Sequence, residues 1–155
     1  MRDTVGNELN IGDHVFCLSG SLSYTIQKVE KFRIIKEHWG DRECVDFGNG
    51  LWLSSENVVS LTALGAVNPE ICDNSGYDAL GAELHVSDKV LYRHAMEIFA
   101  EIGTVKKLTA KTCLLTIDKN RFNQTEYRKK YGEIISLTAL GKEDITTRDK
   151  YNPFI

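Results

Sequence analysis

The sequence predicts a mainly β protein in which one small unit occurs twice in tandem, and three observations predict it. The hexapeptide Ser60-Leu61-Thr62-Ala63-Leu64-Gly65 recurs letter for letter as Ser136-Leu137-Thr138-Ala139-Leu140-Gly141, each copy preceded by a β-branched pair, Val58-Val59 and Ile134-Ile135. At roughly one-in-twenty odds per position, six identities in a row arise by chance in a chain this long well under once in a thousand sequences. The segment Asp3 to Val15 also aligns with Asp78 to Val90, sharing Asp, Gly, Glu-Leu, Asp and Val at the same spacing, so the offset is 75 at the front of the unit and 76 at the back. Thirdly, apolar residues alternate in short segments bounded by glycine or polar residues, and helical periodicity is absent over most of the unit.

These matches divide the chain into a first unit, 1–65, a turn-rich linker, 66–77, a second unit, 78–141, and a tail, 142–155. The linker carries Pro69, Asp73, Asn74, Ser75 and Gly76 in one polar run. In the first unit Leu9, Ile11, Val15 and Cys17 alternate around a Gly12-Asp13 turn, and Ile26, Val29, Cys44-Val45 and Phe47 continue in short segments. The second unit predicts strands at 89–92, 102–105, 112–117 and 133–137. Four or five short antiparallel strands in about sixty residues make a small barrel. A helical insert of one or two turns is expected through Glu126, Tyr127, Arg128, Lys129 and Lys130, capped by Asn123 or Thr125 and stopped by Gly132. The equivalent stretch of the first unit, Ser54 to Asn57, is short enough for a single turn.

Composition excludes several classes. The 155 residues are 42% hydrophobic with two prolines, which rules out a fibrous or low-complexity chain, and no apolar run approaches the length of a bilayer span. The opening Met1-Arg2-Asp3 is polar and lacks a secretory pattern, so a reducing cytoplasm is the expected address. A net charge of −3 and a pI near 5.8 argue against coating nucleic acid by bulk charge. Cys17, Cys44, Cys72 and Cys113 stand 27, 28 and 41 positions apart with no C-x-x-C pair, so no metal site is expected, and Cys17 and Cys113 sit in apolar runs where a thiol acts as a small hydrophobe. The four histidines are scattered with no nucleophile at motif spacing, and neither a phosphate-cradling G-x-x-x-x-G-K nor H-E-x-x-H occurs. No catalytic residue, no cofactor and no enzymatic activity are expected.

The run Ile11-Gly12-Asp13-His14-Val15-Phe16-Cys17-Leu18-Ser19-Gly20 resembles the opening of KOW-type, SH3-like barrels, in which an apolar-Gly-Asp-x-Val step enters the first strand and a glycine follows a few residues later. Val86-Ser87-Asp88-Lys89-Val90 repeats the step, and Gly103-Thr104-Val105 is similar to the glycine-x-valine that opens the next strand. Ser87 replaces the first glycine in the second copy, and Tyr24 or Thr25 stands where the first copy lacks the second. The resemblance implies two tandem SH3-like barrels in which Asp13 and Asp88 accept backbone amides at strand entry, and repeat-matched Glu8 and Glu83 are structural. The tandem arrangement and small size are also similar to early proteins of large tailed phages, which implies a host-takeover role in the host cytoplasm.

Binding is the remaining class, and charge distribution is its lever. Residues 3–65 hold nine acids and five bases, whereas 78–141 hold eight acids and ten bases. The second unit's bases cluster as Lys106, Lys107 and Lys111 around one hairpin, then Lys119, Arg121, Arg128, Lys129 and Lys130, interleaved with Phe122, Tyr127 and Tyr131. Cations beside stackable rings suit nucleic acid, so the first expectation is contact with nucleic acid or the transcription apparatus through the second unit. A solvated face with Tyr127 and Tyr131 packed inward is the plainer reading of the same run. The alternative is an inhibitor or adaptor acting on a host enzyme, anchored by Trp39 in a polar loop and Trp52. Trp52, in the strand-like Leu51-Trp52-Leu53, is better suited to filling the barrel, which leaves Trp39 the candidate for exposure. The apolar chain end Tyr151-Asn152-Pro153-Phe154-Ile155 is expected to dock on a barrel or on a partner.

Overall fold

The computed structural model describes residues 1–93, 100–117 and 125–146. Within them the chain is mainly β, and each helical turn is a three-residue 3-10 segment. The first repeat contributes β1 (His14–Cys17), β2 (Ile26–Lys28), β3 (Lys31–Glu37), β4 (Gly40–Gly48), β5 (Leu51–Ser54), a 3-10 turn at Ser55–Asn57, and β6 (Val58–Ser60). The second contributes β7 (Lys89–Arg93), β8 (Ala100–Leu108), β9 (Thr112–Ile117), β10 (Glu126–Lys130), a 3-10 turn at Tyr131–Glu133, and β11 (Ile135–Ser136). Strand pairing is antiparallel, in sheets ordered β2-β1-β6, β3-β4-β5 and β10-β9-β8-β7-β11, and no sheet closes on itself among the described residues.

The repeated hexapeptide has a hydrogen-bonding reason at nearly every letter. The Ser60 amide donates to Asp3 Oδ2 at 2.8 Å and the Ser136 amide to Asp78 Oδ2 at 2.7 Å. Each serine Oγ then accepts the amide three residues on, from Ala63 or Ala139. Thr62 Oγ1 accepts the His14 amide and Thr138 Oγ1 the Lys89 amide, tying the end of each repeat to its first strand. Leu61 and Leu137 are buried, and Gly65 and Gly141 take the left-handed backbone that closes the turn. Asp3 Oδ1 accepts amides from Val5 and Asn7, as Asp78 Oδ1 does from Leu80 and Ala82. Asp13 and Asp88 accept the amides of Asn10 and His85 at 2.9 Å, the strand-entry role expected of them. Ser87 holds φ +79° where Gly12 holds +94°, so the departure from the glycine pattern keeps the same backbone.

The copies also share register. Val15 opposes Ser60 and Phe16 opposes Val59; equivalently, Val90 opposes Ser136 and Leu91 opposes Ile135. They differ in loop length. Twelve residues lie between Phe32 and Val45 but four between their counterparts Leu108 and Cys113; twelve then lie between Val45 and Val58 but twenty between Cys113 and Ile134. The two changes cancel, which is why the sequence offset returns to 76.

Continuous apolar runs such as Val15-Phe16-Cys17-Leu18 bury both faces of a strand. One face serves a core internal to the repeat: Leu9, Val15, Cys17 and Val58 in the first, Leu84, Val90, Tyr92 and Ile134 in the second. The opposite face, Phe16, Leu18, Val59 and Leu61, packs on Leu91, Ala100, Ile135 and Leu137 of the other copy. The repeats are thus joined by a third core in which Phe16 and Leu91, Val59 and Ile135, and Leu61 and Leu137 are equivalent pairs. Arg93 Nη1 crosses to the Leu18 carbonyl at 2.6 Å. The linker lies along the second repeat, with the Cys72 amide on the Ala79 carbonyl and Ser75 Oγ on the Ala110 carbonyl.

The helical insert expected through Glu126–Lys130 is instead strand β10, paired with Thr112–Thr116 of β9. Its side chains alternate with period two: Lys129 is buried while Arg128 and Lys130 are exposed. Gly132 falls inside a 3-10 turn rather than at a helix stop, whereas the single turn expected over Ser54–Asn57 is present at Ser55–Asn57. Asn123 and the chain end 151–155 lie outside the described residues.

Candidate nucleic-acid interface

The basic cluster is sorted by the register of β8, β9 and β10. Lys107, Leu114 and Arg128 align across the three strands, and Lys130 lies opposite Thr112 on the same side. A register shift between Val105 and Lys107 inserts one extra residue in β8, so Lys106 and Lys107 are both exposed while Val105 and Leu108 keep their partners Leu115 and Cys113. Lys111 is exposed in the turn after β8. Five bases, Lys106, Lys107, Lys111, Arg128 and Lys130, are therefore brought to one end of the second repeat's sheet. Among the acids Glu126 is their neighbour, hydrogen-bonded and ion-paired to Lys106 Nζ.

Two members of the predicted cluster point elsewhere. Tyr127, on the inner side of β10, packs on the second repeat's core and stacks on Tyr92 with centroids 6.0 Å apart. Lys129, also inner, is 7% exposed; its Nζ donates to Tyr24 Oη of the first repeat at 2.9 Å and lies 3.6 Å from Glu133 Oε2. The ammonium also sits over the Tyr24 and Tyr127 rings, at 5.1 and 5.7 Å from their centroids. Burial pulls the Lys129 pKa down, with Glu133 opposing, and burial together with Glu133 pushes Tyr24 up to about 12. Lys129 is a tie between the repeats and has no path to an external phosphate. Strand alternation was the signal that separates it from Arg128 and Lys130. Lys119, Arg121 and Phe122 lie outside the described residues.

The tryptophans occupy the first repeat. Trp39, 83% exposed, stands at the tip of the β3–β4 hairpin, its Nε1 donating to Glu37 Oε2 at 3.1 Å. Trp52 does not fill the core: it is half-buried on the outer side of β5 with the Arg33 guanidinium 5.9 Å from its centroid, and its neighbour Leu53 packs inward instead. Arg33 in turn donates to Asp46 Oδ2 at 2.8 Å. The Gly48 amide, Lys31 and Arg33 together hold the Asp46 carboxyl below its ordinary range. Beneath the hairpin tip lies an open cleft of about 730 Å³ bordered by Glu37, Asp41, Glu43 and Glu56 against Arg2 and Arg42. Its acid excess makes it a poor seat for phosphate.

Burial pushes the Cys17 thiol up to about 12 and Cys113 to about 11, leaving both protonated and unreactive. Among the described residues no three His, Cys, Asp or Glu side chains converge as metal ligands, and no helix is long and apolar enough to cross a membrane. Comparison with protein-family models and with curated proteins gives no match.

Proposed function

We propose that this is a non-enzymatic binding protein that engages nucleic acid, or a nucleic-acid-bound assembly such as the transcription apparatus, through the second repeat. The carrying observation is the exposed end of the β8-β9-β10 ladder, where five bases converge with one paired acid. A strand ladder carrying clustered cations can follow a phosphate backbone, and its contacts position rather than read sequence. Each repeat is read as a small SH3-like unit of the KOW type. Supporting this, the last strand of each returns to pair with the first, β6 with β1 and β11 with β7, after a 3-10 turn.

The test is fluorescence anisotropy with labelled single-stranded and duplex oligonucleotides. For three to five phosphate contacts, raising salt from about 50 to 200 mM should weaken binding roughly 40- to 500-fold. Lys107→Glu with Arg128→Glu should weaken it at least about tenfold at low salt, whereas Lys129→Met should leave it unchanged. Absence of binding, or binding indifferent to salt, removes the proposal.

One observation favours a second reading, an inhibitor or adaptor on a protein partner: the exposure of Trp39 at the tip of a hairpin that is eight residues shorter in the second repeat. There Trp39→Ala should abolish capture of that partner while the fold persists, and an unaffected complex would discard it.

A further inference from the structure

Strand β3 is bonded to β4 alone among the described residues. Its equivalent at the end of β8, Lys107–Leu108, likewise pairs with β9 only, the β7 ladder ending at Thr104, but it is short where β3 runs from Lys31 to Glu37. The cause is local: after β2 the chain passes Val29 and Glu30 and starts a hairpin eight residues longer than its equivalent. That hairpin runs in unbroken register from Lys31 opposite Asp46 to Glu37 opposite Gly40. Its turn closes on Glu37, so Glu37 and, by alternation, Ile35, Arg33 and Lys31 commit their amides and carbonyls to β4. Phe32, Ile34 and Lys36 aim theirs at the open side. Side chains at the same three positions share one face, where Phe32 is 39% and Ile34 51% exposed. Open edges are ordinarily blunted by proline, a bulge or charged side chains; β3 has no proline and no bulge, and its charges, Lys31, Arg33, Lys36 and Glu37, are of mixed sign.

We infer that β3 pairs antiparallel with β3 of a second copy, centred on Ile34, joining two three-stranded sheets into one. The strand is complementary to itself in that register. Ile34 faces Ile34, Phe32 faces Lys36, Arg33 faces Ile35, and at both ends Lys31 faces Glu37. No rung sets like charges opposite, and the half-exposed Phe32 and Ile34 are covered by the partner's Ile34 and Lys36 stem. Sliding one way places Arg33 against Arg33, and sliding the other way shortens the ladder. Phe32, Ile34 and Lys36, whose backbone groups are unused by β4, supply the new hydrogen bonds.

The experiment uses the full chain with Cys72→Ser, the other three cysteines being buried. Ile34→Cys should give a disulfide-linked dimer on mild oxidation, since facing residues of a bonded antiparallel pair lie about 5.5 Å apart at Cα. Ile35→Cys should not, since its two copies would stand about 8 Å apart. Sedimentation of the wild type should show a concentration-dependent dimer, and Ile34→Lys should raise its dissociation constant at least about tenfold with the thermal transition unchanged. A monomer at every concentration overturns the inference, whether the edge is then open or taken by residues 147–155 of the same chain. So does a dimer that Ile34→Lys leaves intact.

Discussion

The two repeats agree in the bonds and buried residues that hold the fold and differ in loop length and surface charge. The Asp3/Asp78, Ser60/Ser136 and Thr62/Thr138 bonds coincide to within about a tenth of an ångström, and Phe16/Leu91 and Val59/Ile135 pack against each other's copy from equivalent places. The first repeat then extends its β3–β4 hairpin and places Trp39 at the tip, whereas the second shortens that hairpin, lengthens the β9–β10 connection and gathers bases at the β8–β9 end of its sheet. Duplication supplied one scaffold twice; loop length and surface charge made the halves unlike.

The largest effects should come from the shared core. Leu61→Ala and Leu137→Ala each remove a fully buried side chain from it and should cost about 2–5 kcal/mol. Both tryptophans belong to the first repeat, so their fluorescence reports on that half alone. Denaturant unfolding of Leu137→Ala should nevertheless shift the tryptophan transition and the far-ultraviolet circular dichroism together. A tryptophan transition that stays in place would show the halves folding separately.

Next come the paired aspartates. In Asp3→Asn or Asp78→Asn an amide group must face a backbone donor, which should cost about 1–3 kcal/mol at either position. Burial lifts both carboxyls above their ordinary 3.8, against the pull of the donating amides. Between that value and the raised folded ones the native chain holds protons that the unfolded chain has released. Their stabilising contribution is therefore complete below 3.8 and falls as pH rises through the window. Melting temperatures of the double asparagine variant across acidic pH should lack that decline, and an unchanged profile would refute the assignment.

Smaller effects separate the copies. Ser87→Gly relieves a left-handed serine and should raise stability by up to about 1 kcal/mol, while Gly12→Ser should lower it by a similar amount; chemical denaturation reads both, and equal signs would contradict the shared geometry. Trp39→Ala, at an exposed tip, should change stability by less than about 0.5 kcal/mol.

The duplication was legible in the sequence because its hexapeptide is a set of hydrogen-bonding and backbone requirements, which tolerate few substitutes. The shared core was also written there, in the unbroken runs Val15 to Leu18 and Val90 to Tyr92, but a run without alternation does not say what covers its second face. Strand β10 reads as a helix in the sequence because Thr125 and Gly132 look like helix ends, while its β ladder depends on Cys113 and Leu114, more than ten residues earlier. A helix groups Lys129 with Lys130, whereas neighbours on a strand face opposite ways. The β3–β4 hairpin was invisible in Lys31-Phe32-Arg33-Ile34-Ile35-Lys36-Glu37, whose exposed apolar residues mark an edge rather than a core.

The proposed assignment of nucleic-acid binding to the second repeat is tested most directly by oligonucleotide affinity measured across a salt series, with charges reversed in one half at a time. Arg128→Glu with Lys130→Glu should weaken binding at least about tenfold and flatten the slope of log affinity against log salt by about 2, whereas Arg2→Glu with Lys28→Glu, exposed bases of the first repeat outside β3, should change neither beyond about twofold. Equal losses from the two pairs, or a slope untouched by either, would contradict it.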